Sequence, residues 1–313
     1  MIRVQDLTKY YGERLAVDNI SFNVEKGEVV GFLGPNAAGK TTTMRIITGF
    51  LMPTRGDVWV ADCNMITNSL DGRRFIGYLP ESIPLYTDMT TRAYLEFSAK
   101  LRGLDKNRIK TRIEDVVEIC HLEEYIDVLL GKLSRGFRQR VGVAQAIIHE
   151  PEVLILDEPT IGIDPIQVAQ TRQLIKELGE EHTILISTHI LPEVSMTCER
   201  VIIIHEGRIV VEDRIENLSS ILASSKRIRL EVEGPAKKIA KRLEQIESVR
   251  QVRIEDSHFI VEYPPEQDPR GKIMEAIVQG GWGLLSMGAV EMSLEDIFLE
   301  LTTEEEGEEK TGE

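Results

Sequence analysis

Two short stretches carry the residue types with the most specific chemistry. Gly34 through Thr41 reads GPNAAGKT, the spacing G-x-x-x-x-G-K-[ST], placed after an apolar run and before a helical pattern. The loop made by Gly34, Pro35, Asn36, Ala37, Ala38 and Gly39 can cradle phosphate oxygens with its backbone N–H groups, and the following helix N-terminus adds favourable polarity. Lys40 can reach β- and γ-phosphates, Thr41 can ligate Mg²⁺, and Thr42 adds a phosphate contact. Downstream, Val153–Thr160 reads VLILDEPT, where four apolar residues deliver Asp157 and Glu158 at the end of a buried strand. Asp157 is suited to the Mg²⁺ shell and Glu158 to polarising an attacking water, because one carboxylate must neutralise metal charge while another orients the nucleophile. Two acids after a strand say little alone; behind a phosphate loop they point to nucleoside triphosphate hydrolysis.

Strands and helices must hold these groups. MIRVQDLTKYY and SFNVEKGEVVGFLG read as short strands separated by turns, with Val29–Leu33 suited to a central strand. Pro53 and Gly56 turn the chain toward a strand at Val58–Val60, and Ile76–Leu79 is another apolar run. Helical spacing at Tyr94–Lys100, Arg108–Ile119 and Arg138–Ile148 predicts a helical subdomain, about residues 88–150, inserted into an α/β core. Sheet signals return at Val153–Leu156, Thr183–Ser187 and Val201–His205, with helices at Pro165–Leu178 and Pro192–Cys198. This alternation predicts a mixed or mostly parallel sheet covered by helices.

A boundary near Asn217–Ser225 divides a domain at 1–222 from a smaller α+β domain at 223–303. The latter alternates at Arg227–Glu233, Val249–Glu255, His258–Tyr263 and Leu284–Met292, with helices at Ala236–Glu247 and Arg270–Val278. That β-α-β-β-α-β order resembles a small ferredoxin-like module, followed by a terminal helix at Leu294–Leu301. Residues 304–313, with six Glu and one Lys and nothing apolar, predict a disordered acidic tail.

The 313 residues hold 37 Lys+Arg against 52 Asp+Glu, a net charge of −15 that argues against broad capture of nucleic acid or acidic membrane. A third of that excess sits in the tail. Cys63, Cys120 and Cys198 are odd in number and widely spaced, which fits a reducing compartment better than a disulfide framework or metal site. Nowhere do 18 uninterrupted apolar residues occur, so the chain is expected to be soluble, with any membrane anchor supplied by a partner.

Across residues 1–222 the chain resembles the nucleotide-binding subunits of ATP-binding-cassette transporters. The further motifs fall in family order: LSRGF at 133–137 resembles the signature loop, GIDP at 162–165 the D-loop, and STH at 187–189 the strand end bearing the switch histidine. The resemblance implies a P-loop NTPase core that binds ATP with Mg²⁺ and hydrolyses it. It also implies a head-to-tail dimer with a second copy or a homologous subunit, ATP lying between the phosphate loop of one and the signature loop of the other. Ser134 and Gly136 would then meet the γ-phosphate in trans, Asp164 would couple the two sites, His189 would approach γ-phosphate and water, and Tyr11 would stack on adenine. Integral permease subunits on the cytoplasmic face of the membrane are the implied partners, docking a helix near Pro84, Leu85, Tyr86 and Met89. IGYLPE, LSRGFRQR and MSLEDIFLELT resemble the export branch with separate membrane proteins.

Departures from the family pattern carry consequences. Ala37 stands where glycine is usual, which requires a backbone conformation not reserved to glycine. Arg135 replaces a signature glycine and Phe137 a glutamine, predicting a bulkier, more basic rim around an intact Ser134 and Gly136. Glu81 stands for the usual metal-contacting glutamine; it can reach metal or water through oxygen but brings a negative charge and no amide donor. Two other readings compete: a soluble ATPase of the same superfamily acting in translation or DNA maintenance, and a regulatory module that binds ATP without turnover. One motif set without a long coiled-coil insertion opposes the first, and Glu158 with His189 opposes the second.

Overall fold

The computed structural model describes residues 1–217, 226–255 and 258–290. Contacts divide the chain into two units, the first Met1–Ile215 and the second beginning at Glu216. In the first unit β1 (Ile2–Tyr11) and β2 (Arg14–Val24) pair antiparallel and bury alternate side chains, the pattern of a sheet with one face on the core. They are longer than the short strands expected. Next, β3 (Val29–Leu33) is apolar or glycine throughout and buried at all five positions, as befits a strand covered on both faces. The helix α1 (Lys40–Ile47) follows, then β4 (Arg55–Val60), β5 (Cys63–Asn64), the short α2 (Ser69–Gly72) and β6 (Ile76–Leu79).

Three longer helices come next, α3 (Thr91–Leu101), α4 (Lys106–Ile119) and α5 (Arg135–Ile147). The sequence motivates their starts: Thr90 accepts from the Ala93 N–H, Asp105 from Asn107 and Ser134 from Phe137, each satisfying a donor the helix leaves free. In α4 the buried residues Ile109, Ile113, Val116 and Val117 recur at helical spacing. The chain then alternates through β7 (Val153–Asp157), α6 (Pro165–Gly179), β8 (Thr183–Thr188), α7 (Leu191–Thr197), β9 (Arg200–His205) and β10 (Arg208–Arg214).

These strands form two sheets rather than one. A four-stranded antiparallel sheet has the order β2-β1-β4-β5, and a six-stranded sheet the order β10-β9-β3-β8-β7-β6, parallel except for β10 at its edge. One core joins them across α1, with Phe22 and Phe32 rings 5.4 Å apart. The division follows burial pattern: β1 and β2, alternating in burial, go to the one-sided sheet, and the continuously buried β3, β7 and β8 to the two-sided one.

The second unit runs β11 (Lys226–Glu233), α8 (Ala236–Leu243), β12 (Gln251–Glu255), β13 (His258–Tyr263), α9 (Arg270–Gln279) and β14 (Gly283–Val290). Its sheet order is β12-β13-β11-β14, antiparallel throughout, so the order of elements is the β-α-β-β-α-β read from the sequence. Ile228, Leu230 and Phe259 on the sheet pack with Ile239, Leu243 and Ile273 on the helices, a core separate from that of the first unit. The expected helix at Leu294–Leu301 and the acidic tail lie outside the described residues.

Candidate functional site

Parallel strands carry all their C-terminal ends to one edge of the sheet, and the site lies there. β3, β8 and β7 are neighbours in the sheet; β3 runs into the loop at Gly34, β8 ends beside His189, and β7 delivers Asp157 and Glu158. The register sets Asp157 opposite Ser187. Residues separated by more than a hundred positions in the chain thus converge.

Lys40, the first residue of α1, is 5% exposed and folds back over its own loop. Its Nζ donates to the carbonyls of Gly34 at 2.7 Å and Pro35 at 3.1 Å and lies 3.3 Å from Glu158 Oε1. On its other oxygen Glu158 meets His189 Nδ1 at 2.9 Å. Glu158 takes φ +49°, left-handed for a non-glycine residue, and is held there by its N–H donating to both the Oγ and the carbonyl of Ser187, each at 3.1 Å.

Asp157 is fully buried. Its Oδ1 accepts from the Ser187 hydroxyl and, at 3.3 Å, from Thr41 Oγ1, while Oδ2 is buried with no hydrogen-bond partner. Desolvation pushes its carboxyl above the ordinary range, against the lowering effect of the two hydroxyl donors. A buried, half-satisfied carboxylate beside a threonine hydroxyl fits a hard cation with oxygen ligands. The charge of Glu81, a residue of the cleft over the loop, reaches Asp157 and raises it further.

The cleft over the loop, about 560 Å³, is lined by Asn36, Ala37, Thr41, Thr42, Glu81 and Glu158 among others, with Tyr11 at its rim and 46% exposed. Lys9 Nζ lies 5.4 Å from the centre of the Tyr11 ring. Ala37 adopts φ +67°, the left-handed region that favours glycine. That region is uphill for an L-residue by roughly 1–2 kcal/mol, so alanine is tolerated here at a cost. Gly39 has no such latitude, with φ +111° and a Cβ position that would fall 2.7 Å from the Ala16 carbonyl.

Two cations at the cleft, Arg14 and Arg45, escaped the sequence reading. Arg45 sits one helical turn beyond Thr41, so the i+4 period of α1 places it on the same face. Ser134, Gly136 and Asp164 do not line this cleft. They form a second group, at the starts of α5 and α6, where Ser134 is exposed and Gly136 buried. Asp164 caps α6, its Oδ1 accepting from the N–H groups of Ile166 and Gln167 at 3.1 Å. A further cleft, about 720 Å³ and largely apolar, is lined by Phe50, Pro84, Tyr86, Tyr94, Phe97 and Leu101; of the four positions expected there, Pro84 and Tyr86 contribute.

A family model described as ABC transporter matches residues 17–161. The bacitracin transport ATP-binding protein BcrA of Bacillus licheniformis is 37% identical over 303 residues, covering 96% of this chain and 97% of that one. The chain belongs to the ABC transporter family, as an ATP-binding subunit. The linearmycin resistance ATP-binding protein LnrL of Bacillus subtilis (strain 168) is 30% identical over 305 residues, covering 96% of this chain and 98% of the relative. Among solved structures, an ATP-binding subunit of an ABC transporter superposes with a TM-score of 0.64 at 28% identity, over 71% of this chain and 92% of that one. The dimeric post-hydrolysis state of the ATP-binding cassette MJ0796, bound to ADP and Pi, matches at 0.63 and 26% identity, over 69% and 99%. The ABC ATPase core and the ATP-hydrolysing activity read from the phosphate loop and paired acids are those of this family. Dimerisation and membrane partners, in general terms, come with it. Among the described residues no helix is long and apolar enough to cross a membrane.

Proposed function

We propose that this chain is the motor subunit of an export-type transporter, in which two copies, or one copy and a homologous subunit, close head to tail on ATP. The observation that carries the reading is the Lys40–Glu158–His189 chain of contacts beside the half-satisfied Asp157. Lys40 is held by two loop carbonyls and Glu158; a triphosphate entering the cleft replaces these partners, so Lys40 turns to the β- and γ-phosphates and Glu158 is released to the attacking water. Tyr11 offers its open face to the adenine. Glu158 orients the water and accepts its proton as oxygen bonds to the γ-phosphorus and the β–γ bridge breaks, leaving ADP and phosphate. His189 holds the Glu158 carboxylate through Nδ1, and its other ring nitrogen would serve the γ-phosphate.

Thr41, Asp157 and Glu81 would hold Mg²⁺. When bound, it neutralises phosphate charge and polarises the transferred group. Ser134 and Gly136 serve the γ-phosphate of the second subunit, and Asp164 links the two sites. The boundary between motor and accessory domain is assigned to about residue 222. Dimer closure is passed to permease subunits through the apolar cleft at Pro84 and Tyr86, where a cytoplasmic helix fits, so the chain sits peripherally on the cytoplasmic face of the membrane.

Glu158→Gln is expected to retain ATP binding, slow hydrolysis by roughly a hundredfold or more, and trap the closed dimer, read by turnover and by size-exclusion chromatography with MgATP. Turnover at the wild-type rate would remove Glu158 from the water-activating role.

A further inference from the structure

Arg135 and Phe137, the two departures in the signature loop, have partners within their own chain. Gly162 of the D-loop has φ +69°, and the space a Cβ would take there is filled by the Arg135 guanidinium, with Nη1, Cζ and Nε all against it. The contact is reciprocated. The space over Gly136 is filled by the side-chain amide of Gln167, two residues into α6, whose N–H is held by Asp164. One turn further along α5, Arg140 Nη2 donates to Gln170 Oε1 on α6, and its guanidinium carbon lies 5.4 Å from the centre of the Phe137 ring. Phe137 in turn packs on Tyr125, with ring centres 3.8 Å apart. Among the described residues Arg135 has no carboxylate partner, so its charge is not committed to an ion pair.

We propose that Arg135 is a positioning residue that clasps the D-loop to the signature loop of the same subunit, so that Ser134 and Asp164 move as one block. Physical reasons favour a clasp over a bystander. A glycine at positive φ in an exposed loop is free to swing, and a planar guanidinium laid over its Cα removes that freedom without needing a hydrogen bond. The opposite contact, Gln167 of α6 over Gly136 of α5, likewise needs a bare Cα, so a glycine on each side is the seat for a side chain from the other. A glycine at 135 would leave the D-loop unheld on this side. The functional consequence rests on the reading that Ser134 and Asp164 face a second subunit: a block of fixed spacing makes closure at the two nucleotides concerted.

The test has two readouts on the full chain, one independent of that reading. Hydrogen exchange on Arg135→Ala is expected to rise about tenfold at the amide of Ile161, whose N–H donates to the Glu158 carbonyl, while the phosphate loop stays unchanged. Unchanged exchange at Ile161 would overturn the clasp whatever the dimer does. The second readout is a double-mutant cycle on steady-state turnover with Arg135→Ala, Gly162→Ala and both together. Each single change is expected to lower kcat about fivefold to tenfold with KM for ATP within about twofold, and the pair to be no worse than the worse single change. Multiplying effects would mean the two residues act separately and would overturn it. Arg135→Lys is expected to behave as Arg135→Ala, since the ammonium keeps the charge without the plane; full rescue by lysine would show that Arg135 acts as a charge instead. If the exchange result holds while Ser134→Ala leaves turnover unchanged, the clasp stands and the trans-phosphate role of the signature loop falls.

Discussion

Ala37, like Glu158, is a non-glycine residue held in the left-handed region of the backbone. Its left-handed φ is a cost that glycine would not carry, so Ala37→Gly is expected to raise stability by about 0.5–1 kcal/mol after allowing for the freer unfolded chain. Urea midpoints of the two proteins at equal m-value measure it. Beside β6, His149 has its Nε2 at 3.1 Å from the Ile76 carbonyl, and burial, helped by the positive charge of Arg102, pulls its imidazole down to about 4. A folded pKa below the unfolded 6.5 means the unfolded chain binds the extra proton, so stability is full above about 6.5 and is lost as pH falls toward 4. The slope approaches roughly 1.4 kcal/mol per pH unit, and His149→Gln should flatten it between pH 6.5 and 5. Lys40, Thr41, Asp157, Glu158 and His189 could be singled out from spacing and motif order because each belongs to a short contiguous motif that follows or ends a strand. Their partnership in one chain of contacts could not, since Lys40 lies 118 positions from Glu158.

At the scale of elements, the unit that matters is strand, loop and helix: β3, residues 34–39 and α1. The turn from strand to helix is made at Gly39, where conformation and space both exclude a side chain. Gly39→Ala is expected to cost more than about 2 kcal/mol and to abolish binding of a fluorescent ATP analogue, since the loop must then move off the Ala16 carbonyl. Unperturbed binding would show that the loop relaxes without loss of its phosphate cradle. The helices of the inserted arm were legible for a plain reason: α3 and α4 carry their own caps and apolar stripes. The strands β1 and β2 were visible as strands, but their membership of a separate antiparallel sheet was not. Sheet membership depends on which face finds a core, and that core is assembled from α1 and β3 after the fact.

In the whole molecule, the residues assigned to nucleotide chemistry all lie within Met1–Ile215, and the second unit has a core of its own. A fragment ending at Ile215 is therefore expected to bind MgATP within about threefold of the full chain, which titration calorimetry can read. If its turnover and dimerisation both match those of the full chain, the second unit neither stabilises the dimer nor regulates its closure. The sequence by itself determined the chemistry of this protein, because phosphate, metal and water each need particular side chains, and those come as short contiguous motifs on strand ends. It also determined the kinds of elements, through local periodicity. Tertiary structure alone decided which motif answers which: parallel strand order brought Asp157, Glu158 and His189 to the phosphate loop, and the packing of α5 beside α6 set Arg135 on Gly162. Such contacts join residues far apart along the chain, and no local pattern encodes them, because each side chain's partner is chosen by where the core places its backbone.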